Sequence, residues 1–205
     1  MNEIAIRPYE ARDREAIRSI CCDTADRGEP VERFFPDREI FADLLTTYYT
    51  DCEPEAAWVA ECEGKVVGYL TGALNPRRYR RLFYGQVIPK VFGKAVWRGG
   101  FWNIKLWSLG VTLAMSGLRH RVESPVSLRD YPAHLHLNIA QGFRGGEGGK
   151  QLIEKCCEQV KGTGLQGVSA SVRRDNEVGR HFFEKMGFQL LTSDTGYTVI
   201  YGKRV

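Results

Sequence analysis

The stretch "FRGGEGGKQLIEKCC", residues 143–157, sets four glycines around one glutamate and then turns into a helical pattern. Its apolar positions Leu152, Ile153, Cys156 and Cys157, continued by Val160, recur at the spacing of one helix face, and the run ends at Gly162. Just ahead, "AHLHLNIA" alternates His134, His136 and Asn138 with Leu135, Leu137 and Ile139, which is a strand with one polar and one apolar face. A strand, a bare turn and a helix in succession make an anion site. The first helical turn leaves N–H groups without intrahelical partners, the helix dipole favours negative charge there, and glycines let a phosphate come close. A pyrophosphate is the natural guest.

Two familiar phosphate motifs are excluded. A G-x-G-x-x-G reading can only be forced here, and it lacks the acidic residue expected about 20 positions on, after a further strand. Lys150 is followed by Gln151, where a P-loop needs Ser or Thr.

Outward from this centre, elements of both kinds follow one another. "IAIRPYE" reads as a short edge strand, because Pro8 cannot donate to a central ladder. "ARDREAIRSICCDTADRG" places Ile17, Ile20, Cys21 and Thr24 at helical spacing and is expected to end at Gly28. "DREIFADLLTTYYTD" is a second helix, with Ile40, Phe41, Leu44, Leu45 and Tyr48 on one face. "AAWVAECEGKVVGYLTGAL" is a hairpin turning at Glu63 and Gly64. After the glycine stretch come a buried strand "GVSASV", a short helix "DNEVGRHFFEKMG" stopped by Gly187, and a closing hairpin turning near residues 194–196. The class is α/β (α+β), and no internal repeat is present.

"LNIAQGFRGGEGGKQLI" followed by "DNEVGRHFFEKMGF" resembles the acyl-CoA-binding core of the GNAT superfamily of N-acyltransferases. Arg144, Gly145, Gly149 and Lys150 fall on that family's pyrophosphate-loop pattern; Asn176, Phe182, Lys185, Gly187 and Phe188 fall on its second motif. The resemblance covers most of the chain outside residues 75–129. It implies a single domain over residues 1–205 with a mixed, mostly antiparallel sheet flanked by helices, splayed central parallel strands and a helical insertion at about 75–129. It also implies acetyl-CoA as acyl donor with no metal, held by the loop Arg144, Gly145, Gly146, Glu147, Gly148, Gly149 and Lys150 and by Asn176, Phe182, Phe183 and Lys185, while a backbone amide near Leu137 to Ile139 polarises the acyl carbonyl.

The acceptor implied is a primary amine of a small molecule or a protein. Its ammonium must shed a proton before attack. His136, beside Asn138 on the polar face, is the candidate base, with His134 on the same face and Asp130 and Tyr131 in reserve. Phe182 and Phe183 belong either to the core or to the pantetheine contact; Lys185 and Arg174 touch phosphate or face water. Two departures stand out. Glu147 occupies a position where the family usually has glycine, so its carboxylate is expected to turn away from a diphosphate, toward Arg144, Lys150 or solvent. Phe183 occupies the position where many members carry a tyrosine that protonates the departing thiolate, and phenylalanine has no proton to give. The alternative is therefore a non-catalytic CoA-binding module. More narrowly, "DYPAHLHLNIA" looks like a stretch of the acetyltransferase-like domains that accompany O-GlcNAc hydrolases, in which the position of Asn138 is often acidic.

Composition fits a folded enzyme-sized chain. With 43% hydrophobic and 26% charged residues among 205, it has the make-up of a core-forming protein rather than a disordered tail. No apolar run of signal-peptide length opens it, so a cytoplasmic location is expected. The six cysteines show no C-x-x-C and no zinc-ligand spacing, which suggests buried reduced thiols. Charge is uneven: residues 76–122 hold ten basic side chains and no acidic one, interleaved with Phe83, Tyr84, Phe92, Trp97, Phe101, Trp102 and Trp107. Such a segment can lid the acceptor site, bind a nucleic acid, or lie on an anionic surface. Residues 105–118 are too few to span a bilayer, which needs ~20. No firm nucleic-acid partner follows, and the chain is a monomer or a homodimer.

Overall fold

The computed structural model describes residues 3–35, 37–98, 130–192 and 198–205. Seven strands form one sheet: β1 (Ala5–Pro8), β2 (Ala57–Cys62), β3 (Lys65–Ala73), β4 (Ala133–Ile139), β5 (Gly167–Arg173), β6 (Gln189–Thr192) and β7 (Thr198–Arg204). Their order is β1-β2-β3-β4-β5-β7-β6. Every neighbouring pair is antiparallel except β4 and β5, which run parallel. The helices are α1 (Arg14–Asp23), α2 (Arg38–Thr47), α3 (Pro76–Leu82), α4 (Ile88–Trp97), α5 (Gly148–Gly162) and α6 (Glu177–Lys185).

The local signals act as physical chemistry requires. The β2–β3 turn puts Glu63 at φ 51° and Gly64 at φ 76°, the left-handed pair that a two-residue hairpin needs to match strand twist. Gly187, at φ 81°, ends α6. Asp37 starts α2 by accepting the Ile40 N–H at 3.1 Å. One expectation is corrected: α1 stops at Asp23, five residues before Gly28. Thr24 caps it, with its N–H and its hydroxyl both donating to the Ile20 carbonyl, and the chain then enters a separate tight turn.

Each face of the sheet is covered. On one, α5 and α6 press Leu152, Ile153, Cys156, Val160 and Phe183 onto Leu70, Leu135, Val168 and Val172. On the other, α1 sets Ile17, Ile20 and Cys21 against Val59 and Tyr69, and α2 meets Phe83, Val87 and Val91 with Ile40 and Leu44. Burying each such side chain contributes about 1.5–3 kcal/mol. Four of the cysteines are buried, Cys52 and Cys157 partly so, and all six are free. Burial pushes the thiols of Cys21 and Cys156 up to about 12, so they stay protonated and inert.

The described part of the insertion is α3, a wide helical turn at Phe83–Val87, and α4. Its cations divide by face. Arg78 reaches Glu55 and the Cys52 carbonyl, Lys94 reaches Asp43 at 2.6 Å, and Arg98 reaches Asp37 at 3.2 Å, which ties the helices to α2 and to the segment between α2 and β2. Arg77, Arg80, Arg81 and Lys90 face outward, and Trp97 is 87% exposed. The remainder of the insertion, including residues 105–118, and the β6–β7 turn at 194–196 lie outside the described residues. No described helix is long and apolar enough to cross a membrane.

Candidate active site

The site begins where two strands stop pairing. β4 is bonded to β3 from His134 to Ile139, but it meets β5 only at Ala133, His134 and Leu135, opposite Val168, Ser169 and Ala170. Beyond Leu135 the parallel strands part. The Ala140 N–H bonds the Val67 carbonyl on β3 at 2.8 Å, and main-chain groups alternate sides along a strand. The amides of His136 and Asn138 therefore face β3, while those of Leu137 and Ile139 face the gap. This wedge opens at the carboxyl ends of two parallel strands, the position at which open α/β sheets take ligands. Both following helices, α5 and α6, start beside it and aim their N-termini there.

The glycines at the head of α5 do two different jobs. A Cβ built on Gly145, which sits at φ 79°, meets nothing within 4 Å, and one on Gly146 meets only the Phe143 carbonyl at 3.8 Å. That backbone is bare on its outer side. A Cβ on Gly148 would stand 3.3 Å from Ile4, and one on Gly149 3.3 Å from the Phe182 ring. These two let α5 settle onto the sheet and onto α6. Glu147 makes no side-chain cap; its carboxylate accepts from the Lys150 ammonium at 3.1 Å along the helix surface, which raises the lysine pKa.

Arg144 lies across the mouth of the wedge. Its Nε donates to the Ile139 carbonyl and its Nη2 to the Gly28 carbonyl, both at 3.0 Å. The partner turn, residues 26–29, was not singled out from sequence. Arg27 and Gly28 have φ 57° and 98°, and Asp26 and Glu29 exchange main-chain bonds of 2.9 and 3.0 Å. The only sequence signal is a glycine just past a helix, which reads equally well as a helix stop. Asp26, 8% exposed, pairs with Arg173 at the end of β5 at 2.8 Å and with Arg33 at 3.2 Å. Arg27 lies 3.5 Å from Asp175.

On the polar face, Tyr69 stands opposite Asn138 in register. Its hydroxyl accepts from Asn138 Nδ2 at 3.0 Å, lies 3.4 Å from His136 Nδ1, and bonds the Cys21 thiol. His134 Nε2 is 2.9 Å from the Tyr49 hydroxyl, with the Tyr79 ring edge-on at 4.5 Å between centroids. Burial lowers both histidines to about 4, and His136 further lowers His134. Both are neutral at physiological pH. Burial pushes Tyr49 and Tyr69 well up, so both phenols keep their protons and serve as donors.

Each of the other sequence candidates has its own surroundings. Phe183, 8% exposed, belongs to the core, with Phe182, Phe188 and Tyr201 around it. Asn176 spends its Oδ1 capping α6, accepting the Gly179 N–H at 2.9 Å. Lys185 is exposed on α6. Tyr131 packs over Gly167 and Gly202, and with Asp130 it lies at the opposite end of β4 from the opening. Both precede the strand, whose six steps from Ala133 to Ile139 alone span roughly 20 Å.

A mostly antiparallel sheet with one parallel pair that splays beside a glycine-headed helix is the architecture of an acyl-transferring domain. The sequence profile of the acetyltransferase (GNAT) family matches residues 24–188. The chain belongs to that family and is an acyltransferase. Among solved structures, that of SsHAT is similar over 98% of both chains at 24% identity with a TM-score of 0.82. PaiA N-acetyltransferase from Thermoplasma acidophilum, solved in complex with coenzyme A, matches over 99% of both chains at 14% identity and a TM-score of 0.55. An N-acetyltransferase from Staphylococcus aureus matches over 98% of both at 14% and 0.55. At these identities the likeness is one of fold.

Proposed function

We propose that residues 1–205 act as one domain that transfers an acetyl group from acetyl-CoA to a primary amine of a small molecule or a protein. The observation that carries this reading is the unpaired half of β4, whose Leu137 and Ile139 amides face a gap lying beside the bare glycine loop. The residues fit such a donor. Gly145 and Gly146 leave main chain open to a diphosphate, Arg144 and Lys150 supply positive charge, and Phe182 offers an apolar wall. The crystallised relative bound to coenzyme A supports the same donor class.

The donor supplies a thioester carbonyl already activated for attack. One fixed N–H of the two, aimed at the oxygen of that carbonyl, stabilises the charge that develops on it, and removing such a donor elsewhere costs about 10²–10³ in rate. The amine must arrive neutral, and a lysine-like amine with a usual value near about 10.4 is almost wholly protonated at pH 7. His136 is the base we assign, as a neutral imidazole beside Asn138. With its pKa near 4 it holds a proton only briefly and passes it to solvent, so the rate should climb with pH as the amine itself deprotonates. Phe183 brings no hydroxyl to the leaving thiolate, which then departs as the anion or is protonated by water.

Isothermal calorimetry with acetyl-CoA, followed by a thiol-release assay across an amine panel, tests the reading. Binding with turnover supports it. Binding without turnover on any amine selects the non-catalytic CoA-binding alternative, which the missing hydroxyl at Phe183 favours. No binding heat and no thermal shift at high micromolar acetyl-CoA overturns both.

A further inference from the structure

The turn at residues 26–29 is tied to both strands that diverge at the wedge. On the β4 side, Arg144 donates at once to Ile139 within the gap and to Gly28 of the turn, both bonds 3.0 Å long. On the β5 side, Asp26 holds Arg173 at 2.8 Å, and Arg27 lies 3.5 Å from Asp175, just ahead of α6. The strap thus crosses the opening from one strand end to the other. Its two anchorages differ in kind. The β5 anchorage pairs cations with carboxylates, one of them nearly buried. The β4 anchorage is a single guanidinium on two neutral carbonyls, with no carboxylate partner among the described residues, and its side chain is exposed. An arginine so placed is underused, because guanidinium binds phosphate oxygens more strongly than amide carbonyls.

Packing makes that anchorage specific to Gly28. A Cβ built there would lie 2.1 Å from Arg144 Nη1, and its φ of 98° is one that side-chain-bearing residues rarely adopt. The guanidinium therefore rests close against a position whose backbone conformation favours glycine.

We infer that Arg144 is a latch: a diphosphate-bearing donor draws its guanidinium off Ile139 and Gly28, which frees the β4 end of the strap while the β5 end stays hinged on Arg173, so that the acceptor side of the wedge opens only after the donor is seated. The inference rests on the wedge being the donor site, as proposed above. It assigns to Arg144 a second duty, ordering the two substrates, and to Gly28 a role in the closed state.

Amide hydrogen exchange on the full chain, with coenzyme A itself as probe, tests it. Ligands ordinarily slow exchange where they bind. Here the glycine loop should be slowed while the peptide covering residues 24–30 exchanges faster, roughly tenfold, the worth of one charge-assisted hydrogen bond. Arg144→Gln should exchange rapidly at residues 24–30 without coenzyme A and show no further change on its addition. Asp26→Asn loosens the hinge end instead, and in that variant coenzyme A should still accelerate exchange at Gly28. Should coenzyme A bind, with heat evolved, yet leave residues 24–30 unchanged or slowed, the latch is refuted and the donor site survives. Should it not bind at all, both fall.

Discussion

The two halves of β4 differ in one respect. At His134 and Leu135 the strand is paired on both edges; from His136 to Ile139 it is paired on one. The first half builds the sheet, and the second leaves main-chain groups facing a gap, which is what an acyl carbonyl requires. Residue types scarcely change between the halves, since histidine and leucine alternate through both. What changes is the course of β5, which follows β7 instead, pairing with it along its full length. On the proposed reading, function arises from a bond not made, and the neighbour decides where that happens.

The sharpest way to break the comparison is proline at position 137. Leu137→Pro removes an amide that faces the gap, so acetyl transfer should fall by about 10²–10³-fold, the loss typical of one oxyanion donor. His136→Pro removes an amide bonded to β3 and should instead unfold the chain at lower temperature. A thermal melt and a thiol-release assay on both variants separate the cases; equal melting points for the two would refute the assigned alternation.

The polar face gives the next effect. His134 and His136 have folded values near 4, below the usual 6.5, so between those pH values the unfolded chain binds protons that the folded chain refuses. Stability is therefore full above pH 6.5 and is lost as pH falls toward 4. Urea melts at pH 7 and pH 5 measure it, and a double glutamine substitution should flatten the difference. The same values predict a pH–rate profile without an inflection near 6.5.

A smaller change is expected at Phe183→Tyr. That ring is buried among Phe182, Phe188 and Tyr201, so an added hydroxyl lacking a partner should destabilise by about 1–2 kcal/mol without raising the rate. A faster enzyme from this variant would show that the hydroxyl reaches the wedge after all. The smallest effect is at the glycine loop. Glu147→Gly removes an exposed carboxylate beside the anion site and should tighten coenzyme A binding about threefold at low salt and less at high salt, as titration calorimetry at two ionic strengths will show.

Much of this was legible in the sequence because the signals are local. Strand alternation placed His134, His136 and Asn138 on one face, the Glu63–Gly64 pair fixed the hairpin, and the stripe from Leu152 to Val160 marked the helix that buries it. The remainder depends on contacts between distant residues. The four glycines around Glu147 look alike, yet only the packing of Ile4 and Phe182 separates the pair that seats α5 from the pair left bare. Gly28 reads as a helix stop, whereas its partner stands 116 positions away at Arg144. The histidines are visible as residues, but their acidity is set by burial under neighbours distant in sequence, Tyr49 and Tyr79 at His134 and Tyr69 at His136.

The three-residue seam between β4 and β5 has a mechanical consequence. It is the shortest junction between neighbouring strands in the interior of the sheet, so a molecule stretched across its strands should tear there first, with β1 through β4 on one side and β5 through β7 on the other. The same line marks where the gene could be cut into two separately expressed fragments, the break falling in the linker between α5 and β5, with the shared apolar layer beneath the seam drawing the pieces back together.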